Sequence, residues 1–317
     1  MKYKNSIKIA LSNFNIVWKS MLYFLLVTLG LGAALYLTIM PVYNLLRSSG
    51  FTMEVVDVYT KFLTSLNLTN LLLSIKELGI ELVAILTANI SSIWFSFVLV
   101  ALIFGFFTAI LHNLSILPMC NSLNYYMGSI NSYGFFSSFQ DTFGKSLKIT
   151  LIQYLVSLPV DILIGAIFIF SFRLFNASWW VISFLAPFLI MLILILLLSL
   201  KCSLFICWIP TMVTMNYSVW RSLGLSLKTS FKHYGRTLAI SVGFVLTLIP
   251  LNLFLGLFTF GVGLLVSIPT SFLLYSAFGM VTTFEGLGMR YYVDVYNVVT
   301  PFKKEKSDKI EDMRFLV

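Results

Sequence analysis

Among the residues able to do chemistry, Asp161 stands out, because it follows Pro159 in the middle of an apolar run, Phe143–Gly165, FGKSLKITLIQYLVSLPVDILIG. An acid at such a depth can hold a cation, pass a proton or pair with a base, and an intramembrane carboxylate is a functional-site candidate by default. It can equally be structural. Pro159 removes one backbone donor and frees a carbonyl a turn earlier, which kinks a helix, and a polar side chain two residues on can bond to the freed or neighbouring backbone groups.

The same arrangement recurs 91 residues later, in YGRTLAISVGFVLTLIPLNLFLG, Tyr234–Gly256. Phe143-Gly144-Lys145-Ser146-Leu147 corresponds to Tyr234-Gly235-Arg236-Thr237-Leu238, Pro159 to Pro250, Asp161 to Asn252 and Gly165 to Gly256. Asn252 is uncharged, so the repeated position speaks for hydrogen-bonded support of a kink. Asp161, Asn252, Pro159 and Pro250 together form the candidate intramembrane polar site.

Other candidates are less specific. Glu285 closes the last apolar run, either as a solvated acid or as the partner of Arg290 or of a base at a repeat entry. His112 and His233 fall at run boundaries without ligand partners. Cys120, Cys202 and Cys207 lack a C-x-x-C pattern or a His neighbour, which argues against a disulfide or metal framework. The stretch Gly256–Leu265, GLFTFGVGLL, lacks the strand and helix setting of a phosphate loop and reads as a turn. No H-E-x-x-H, G-x-S-x-G, Walker or paired-carboxylate pattern occurs. Catalytic residues, cofactors and metals are not expected, and the chain does not read as an enzyme.

The elements that must position these residues follow from composition. Hydrophobic residues make up 59% of the 317 and charged residues 10%, and the mean hydropathy is +0.95. These values belong to polytopic membrane proteins. Six runs are long enough for a hydrocarbon core of roughly 30 Å: residues 20–40, 93–111, 149–170, 180–200, 238–257 and 262–283. Pro41 follows the first, and Trp179 and Trp180 open the fourth at a level that suits indole. Asp161 is the only ionisable residue deep in one of these runs. A seventh run, residues 71–90, carries Lys76, Glu77 and Glu81, and central charges at roughly 2.5–3.5 kcal/mol each exclude it as a span. Residues 51–92 therefore read as amphipathic helices outside the membrane.

Each copy of the repeated entry follows an amphipathic segment. Trp220, Leu223, Leu227, Phe231 and Tyr234 form one apolar stripe, and Ile130, Tyr133, Phe136, Phe139 and Phe143 another. A weaker copy, with Ile7, Ala10, Leu11, Phe14 and Trp18 ahead of Lys19-Ser20-Met21, opens the chain. Tyrosines close each unit, in Asn124-Tyr125-Tyr126, Asn216-Tyr217 and Arg290-Tyr291-Tyr292. The expected fold is all-α: a single polytopic membrane domain of six transmembrane helices in three parallel repeats, each an interfacial amphipathic helix plus two spans. The repeats cover about residues 5–127, 128–217 and 218–292, with 293–317 a cytoplasmic tail.

The basic N-terminus leads into the first run without a small-residue cleavage site, so it reads as an uncleaved span. With both termini inside, 17 of the 21 basic residues are cytoplasmic and only Arg47, Lys61, Lys76 and Arg173 are external, as the positive-inside rule requires. That rule also accounts for the excess of Lys and Arg without invoking nucleic acid.

The segments MNYSVWRSLGLSLKTSFKHYGRTL and FGVGLLVSIPTSFLLYSAFGMVTTFEGLGMRYYVD carry a polar exit, an amphipathic helix, a Gly-basic entry, a late glycine-rich turn and a final RYYVD. In these features the chain resembles poorly characterised bacterial six-helix membrane families, including the membrane domain that precedes the catalytic domain of some glycerophosphodiesterases. The resemblance implies a bacterial cytoplasmic membrane. No phosphodiesterase domain follows here, so it implies no activity.

The expected role is non-enzymatic, through membrane lipids, anionic ones included, or an unidentified protein partner at the cytoplasmic belt. Lys19, Lys145, Arg221, Lys228, Lys232 and Arg236 are the candidate lipid-contacting bases, each able to attract anionic headgroups by about 1 kcal/mol. The alternative is a carrier or channel with a polar path near Asp161 and Asn252. The topology is tested by cysteine labelling from outside intact cells. Sites placed in residues 51–92 and near Asn176 should react, whereas Lys228→Cys should not, and its labelling would reverse the orientation.

Overall fold

The computed structural model describes residues 2–176, 180–232 and 234–301. Trp179, His233 and the basic residues after Pro301 lie outside the described residues. The chain forms two compact units, Leu26–Leu111 and Met1–Leu25 with the described part of His112–Val317. Among the described residues, six helical segments are long and apolar enough to cross a membrane: Asn15–Ser48, Ile90–Ser129, Phe135–Ser171, Phe188–Met215, Thr237–Phe258 and Leu264–Gly286.

The helices are α1 (Lys2–Ser12) and α2 (Asn15–Ser48), then α3 (Phe51–Ser65), α4 (Leu68–Ala88) and α5 (Ile90–Leu102). A π-helical turn, Ile103–Phe107, leads from α5 into α6 (Thr108–Asn113) and α7 (Ile116–Ser129). Helix α2 continues through Pro41 to Ser48, so that proline lies within the helix and does not end it. Within Leu26–Leu111, α3 and α4 pack on each other. Gly50 and Leu66, both at positive φ, bound α3. A hydrogen bond with Glu54 raises Glu81 above the usual carboxylate range. Helix α4, with Lys76, Glu77 and Glu81, is not among the six long apolar segments.

The other unit holds α8 (Phe135–Asn176), α9 (Trp180–Phe205), α10 (Trp208–Met215), α11 (Val219–Lys232), α12 (Tyr234–Phe258) and α13 (Leu264–Gly286). The expected separate interfacial helix ahead of Ile149 does not form. Ile130 to Gly134 are non-helical, and Phe135 begins one 42-residue helix that runs through Pro159. The glycine-rich turn is as read, with Gly261 at φ +88 and no room for a Cβ on Gly263, whose nearest neighbours would be Thr259 at 2.7 Å and the Leu255 carbonyl at 2.9 Å.

Helix α13 is the centre of this unit, packing on α1, α7, α10, α11 and α12. Half of its apolar window is buried, against 6% for that of α8. Membrane helices gain little by hiding apolar side chains from lipid, so close approach must come from small residues. A Cβ on Gly279 would stand 2.5 Å from the Ile206 carbonyl oxygen and 2.9 Å from the Pro210 ring. Ser276 and Thr283, both buried, continue the same face.

Helix α11 uses the same chemistry. Its buried face is Ser222, Ser226 and Ser230, whereas Trp220 and Phe231, members of the apolar stripe, are 64% and 61% exposed. The stripe marks the outer side, and serines at four-residue spacing mark the packed one. The offset of 91 residues likewise pairs buried hydroxyls, Ser146 with Thr237 and Thr150 with Ser241.

After α13 the chain does not enter a tail at residue 293. Tyr291–Tyr292 (β1) pairs antiparallel with Val298–Val299 (β2), and Val293 is buried. Asp294 accepts hydrogen bonds from the Tyr296 and Asn297 amides and the Asn297 side chain. The side-chain bond leads in holding its carboxyl below the ordinary value.

Gly279→Ala should lower the thermal stability of the detergent-solubilised protein by about 1–3 kcal/mol, because backbone and a proline ring must yield. Gly286→Ala, whose Cβ would meet only the Thr229 side chain, should cost less. Paired melting curves check the order.

Candidate functional site

The basic end of the second unit is built by hydroxyls docking one helix on another. Ser146 Oγ on α8 donates to the Leu114 carbonyl at 2.7 Å, and Ser138 Oγ donates to the Pro118 carbonyl at 3.1 Å. Asn121 on α7 donates to Ser138 Oγ at 3.0 Å. On the other side, Asn216 at φ 51 ends α10, and the buried Trp208 indole donates to the Val219 carbonyl at 3.0 Å, which fixes the link from α10 to α11.

Between these walls lies a cavity of about 290 Å3, at the small end of the roughly 300–1,000 Å3 of ligand sites. Lys145, Lys148 and Thr142 line it from α8, Asn121 from α7, and Asn216 and Tyr217 from the link. Leu117, Met212, Val213 and Val219 supply apolar wall. Among the described residues, neither lysine has a carboxylate within 4.0 Å. Arg221 lies with its guanidinium 4.2 Å from the centre of the Tyr217 ring, adding a third cation beside this wall. Such a site can hold an anion with several acceptor oxygens.

Of the other candidate bases, Lys19 is exposed with its ammonium near Gly134, and Lys228 is exposed on α11. Neither lines the cavity. The side chains of Lys232 and Arg236 lie outside those described. His112 packs against the Phe24 and Phe272 rings, with centroids 5.4 and 6.5 Å away.

The two intramembrane polar positions behave differently from each other. Asn252 donates to the Leu248 carbonyl at 2.8 Å and to Ser271 on α13 at 3.0 Å. Leu248 is its own neighbour a turn back, not the carbonyl freed by Pro250. Asp161 accepts from Ser157 at 3.2 Å and from Lys201 on α9 at 2.5 Å. It is therefore not alone at its depth: the apolar segment read as ending at residue 200 continues to Met215, which places Lys201 well inside it and opposite the carboxylate. A groove of about 490 Å3 at Asn252 is lined otherwise by Leu248, Ile249, Leu253, Gly256, Leu257 and Leu264, and does not include Asp161.

Glu285, read as a solvated acid or as the partner of Arg290 or of a repeat-entry base, pairs instead with residues that the sequence did not point to. Lys2, mostly buried, places Nζ 3.6 Å from Glu285 Oε2. Tyr291 donates to Glu285 Oε1 at 2.9 Å, and Asn5 donates to the Tyr291 hydroxyl at 3.0 Å. Burial pushes the Tyr291 phenol far above its ordinary value, so it remains a donor. Arg290 takes no part, lying over the Tyr292 ring at 5.7 Å. These residues join α1, the end of α13 and β1, and no local pattern could pair positions so distant in sequence.

No family model, curated protein or solved structure matches the chain.

Glu285→Ala should destabilise the protein by about 3–5 kcal/mol, because it leaves a buried ammonium without its partner. Lys2→Met combined with Glu285→Leu should recover most of that loss. Thermal unfolding of the three proteins in one detergent decides it.

Proposed function

We propose that this integral membrane protein acts without catalysis, by holding the phosphate-bearing headgroup of an anionic lipid at the cytoplasmic face of a bacterial membrane. The observation that carries the proposal is the cavity between α7, α8 and the α10–α11 link, where Lys145 and Lys148 face a space with no carboxylate partner among the described residues.

Its position favours a lipid. Lys148 immediately precedes Ile149, where the apolar run of α8 begins, so the ammonium groups stand at the level of headgroup phosphates. The membrane orientation rests on the distribution of basic residues, since Lys145, Lys148 and Arg221 belong to the side that the positive-inside rule assigns to the cytoplasm. Anionic lipids enrich that leaflet and attract each nearby base by about 1 kcal/mol.

The test is native mass spectrometry of the detergent-purified full chain titrated with phosphatidylglycerol or phosphatidylcholine, with inorganic phosphate as competitor. Phosphatidylglycerol should be retained preferentially. Lys145→Ala with Lys148→Ala should weaken it by about 2 kcal/mol, more than tenfold. Equal retention of the two lipids, or binding unchanged by the double substitution, would refute the proposal. Displacement of the lipid by millimolar phosphate would identify a soluble anion as the better ligand.

A further inference from the structure

We infer that the Asp161–Lys201 pair is an interface, and that the surface it completes is the same pair on a second copy of this chain. Asp161 lies deep along its helix. Along the continuous helix α8, Asp161 is 13 residues beyond Lys148 and 12 before Arg173, so at 1.5 Å per residue it stands about 20 Å and about 18 Å from those two bases. For a hydrocarbon core of roughly 30 Å this is the middle.

The pair is nevertheless uncovered. The Lys201 side chain is 31% exposed and that of Asp161 46%. Asp161 is satisfied on one side by Ser157 and Lys201. Of the three N–H donors on the ammonium, only the one toward Asp161 has an acceptor among the described residues. Lipid tails supply none, and polar groups left open in hydrocarbon are costly.

A second copy is the occupant that this surface specifies. A two-fold axis along the membrane normal brings residues of equal depth together, and an interface on that axis must be self-complementary. An acid and a base side by side meet this requirement. Rotated onto itself the pair sets plus against minus twice, and each Lys201 ammonium bridges its own Asp161 and the partner's Asp161. Gly165 lies one helical turn from Asp161 on the same face, and a Cβ built there meets nothing within 4 Å. The backbone there is open to a closely crossing helix, the arrangement that small residues permit between membrane helices.

The experiment uses the full-length chain with its three cysteines replaced, reconstituted at low density in liposomes, with subunits counted by single-molecule photobleaching and contacts read by disulfide cross-linking. The wild-type charge pair should give dimers, with Gly165→Cys cross-linking and Leu155→Cys, on another face of α8, not. Asp161→Asn with Lys201→Met removes both charges, so neither is stranded inside the monomer, and it should weaken dimerisation at least tenfold while thermal stability is kept. Exchanging the two residues, Asp161→Lys with Lys201→Asp, should restore the dimer. A monomeric wild type, a double variant that dimerises as well as the wild type, or cross-links at Leu155→Cys but not Gly165→Cys would each overturn the inference.

Discussion

The constraint on which the second unit depends is the closeness of α13 to the junction of α9 and α10, where Gly279 has the Ile206 carbonyl against the place a Cβ would occupy. Between membrane helices there is little hydrophobic drive toward association, so contact must be earned by dispersion and hydrogen bonds at short range. From that contact the rest follows. With α13 held against α10, α1 and α7 close on its other faces, and the end of α13 delivers Glu285 to Lys2 and Tyr291.

Hydroxyl residues line much of this packing; several, Ser226, Ser230, Ser276 and Thr283 among them, are buried without a hydrogen-bond partner among the described residues, and those that do bond have two jobs. Some bond to a carbonyl a turn back in their own helix, as Ser199 does to Ile195 at 2.6 Å, which lets a polar side chain lie inside a membrane bundle at little cost. Others reach across, as Ser146 does to the Leu114 carbonyl. The cross-helix bonds fix the register of α8 on α7. That register sets Lys145 and Lys148 on the α8 wall of the cavity.

The two polar regions of this unit differ in what they leave unsatisfied. At the basic end the excess is charge, two lysines lining a cavity near the apolar boundary with Arg221 beside it, and on the proposed reading an anion would complete it. In the middle of the membrane the net charge of the pair is zero, and what is lacking is hydrogen-bond acceptors for Lys201. A charged ligand would worsen that balance, whereas a neutral self-complementary surface repairs it. The repeated position carries no charge: the Asn252 amide donates to Leu248 and to Ser271 on its neighbouring helix, while its Oδ1 is buried without a hydrogen-bond partner among the described residues.

Hydropathy and charge are sums over local sequence, and whatever depends only on such sums was legible without a structure. The six spans, the helical character of residues 51–92, the turn at Gly261 and the concentration of bases around Lys145 and Arg221 are of this kind. Which face of a helix is packed was not legible in the same way. In α11 the eye goes to Trp220 and Phe231, yet in lipid large apolar residues are at home on the outside, and near-neutral Ser222, Ser226 and Ser230 give no hydropathic signal although they form the buried face. Only the tertiary structure could decide that Asp161 has Lys201 as its partner, that Glu285 pairs with Lys2, and that Asn121, Lys148 and Asn216 border one space. Each of these depends on which helices are neighbours and in what rotation, and a long flexible side chain such as that of Lys201 is placed by its surroundings, not by its position in the sequence.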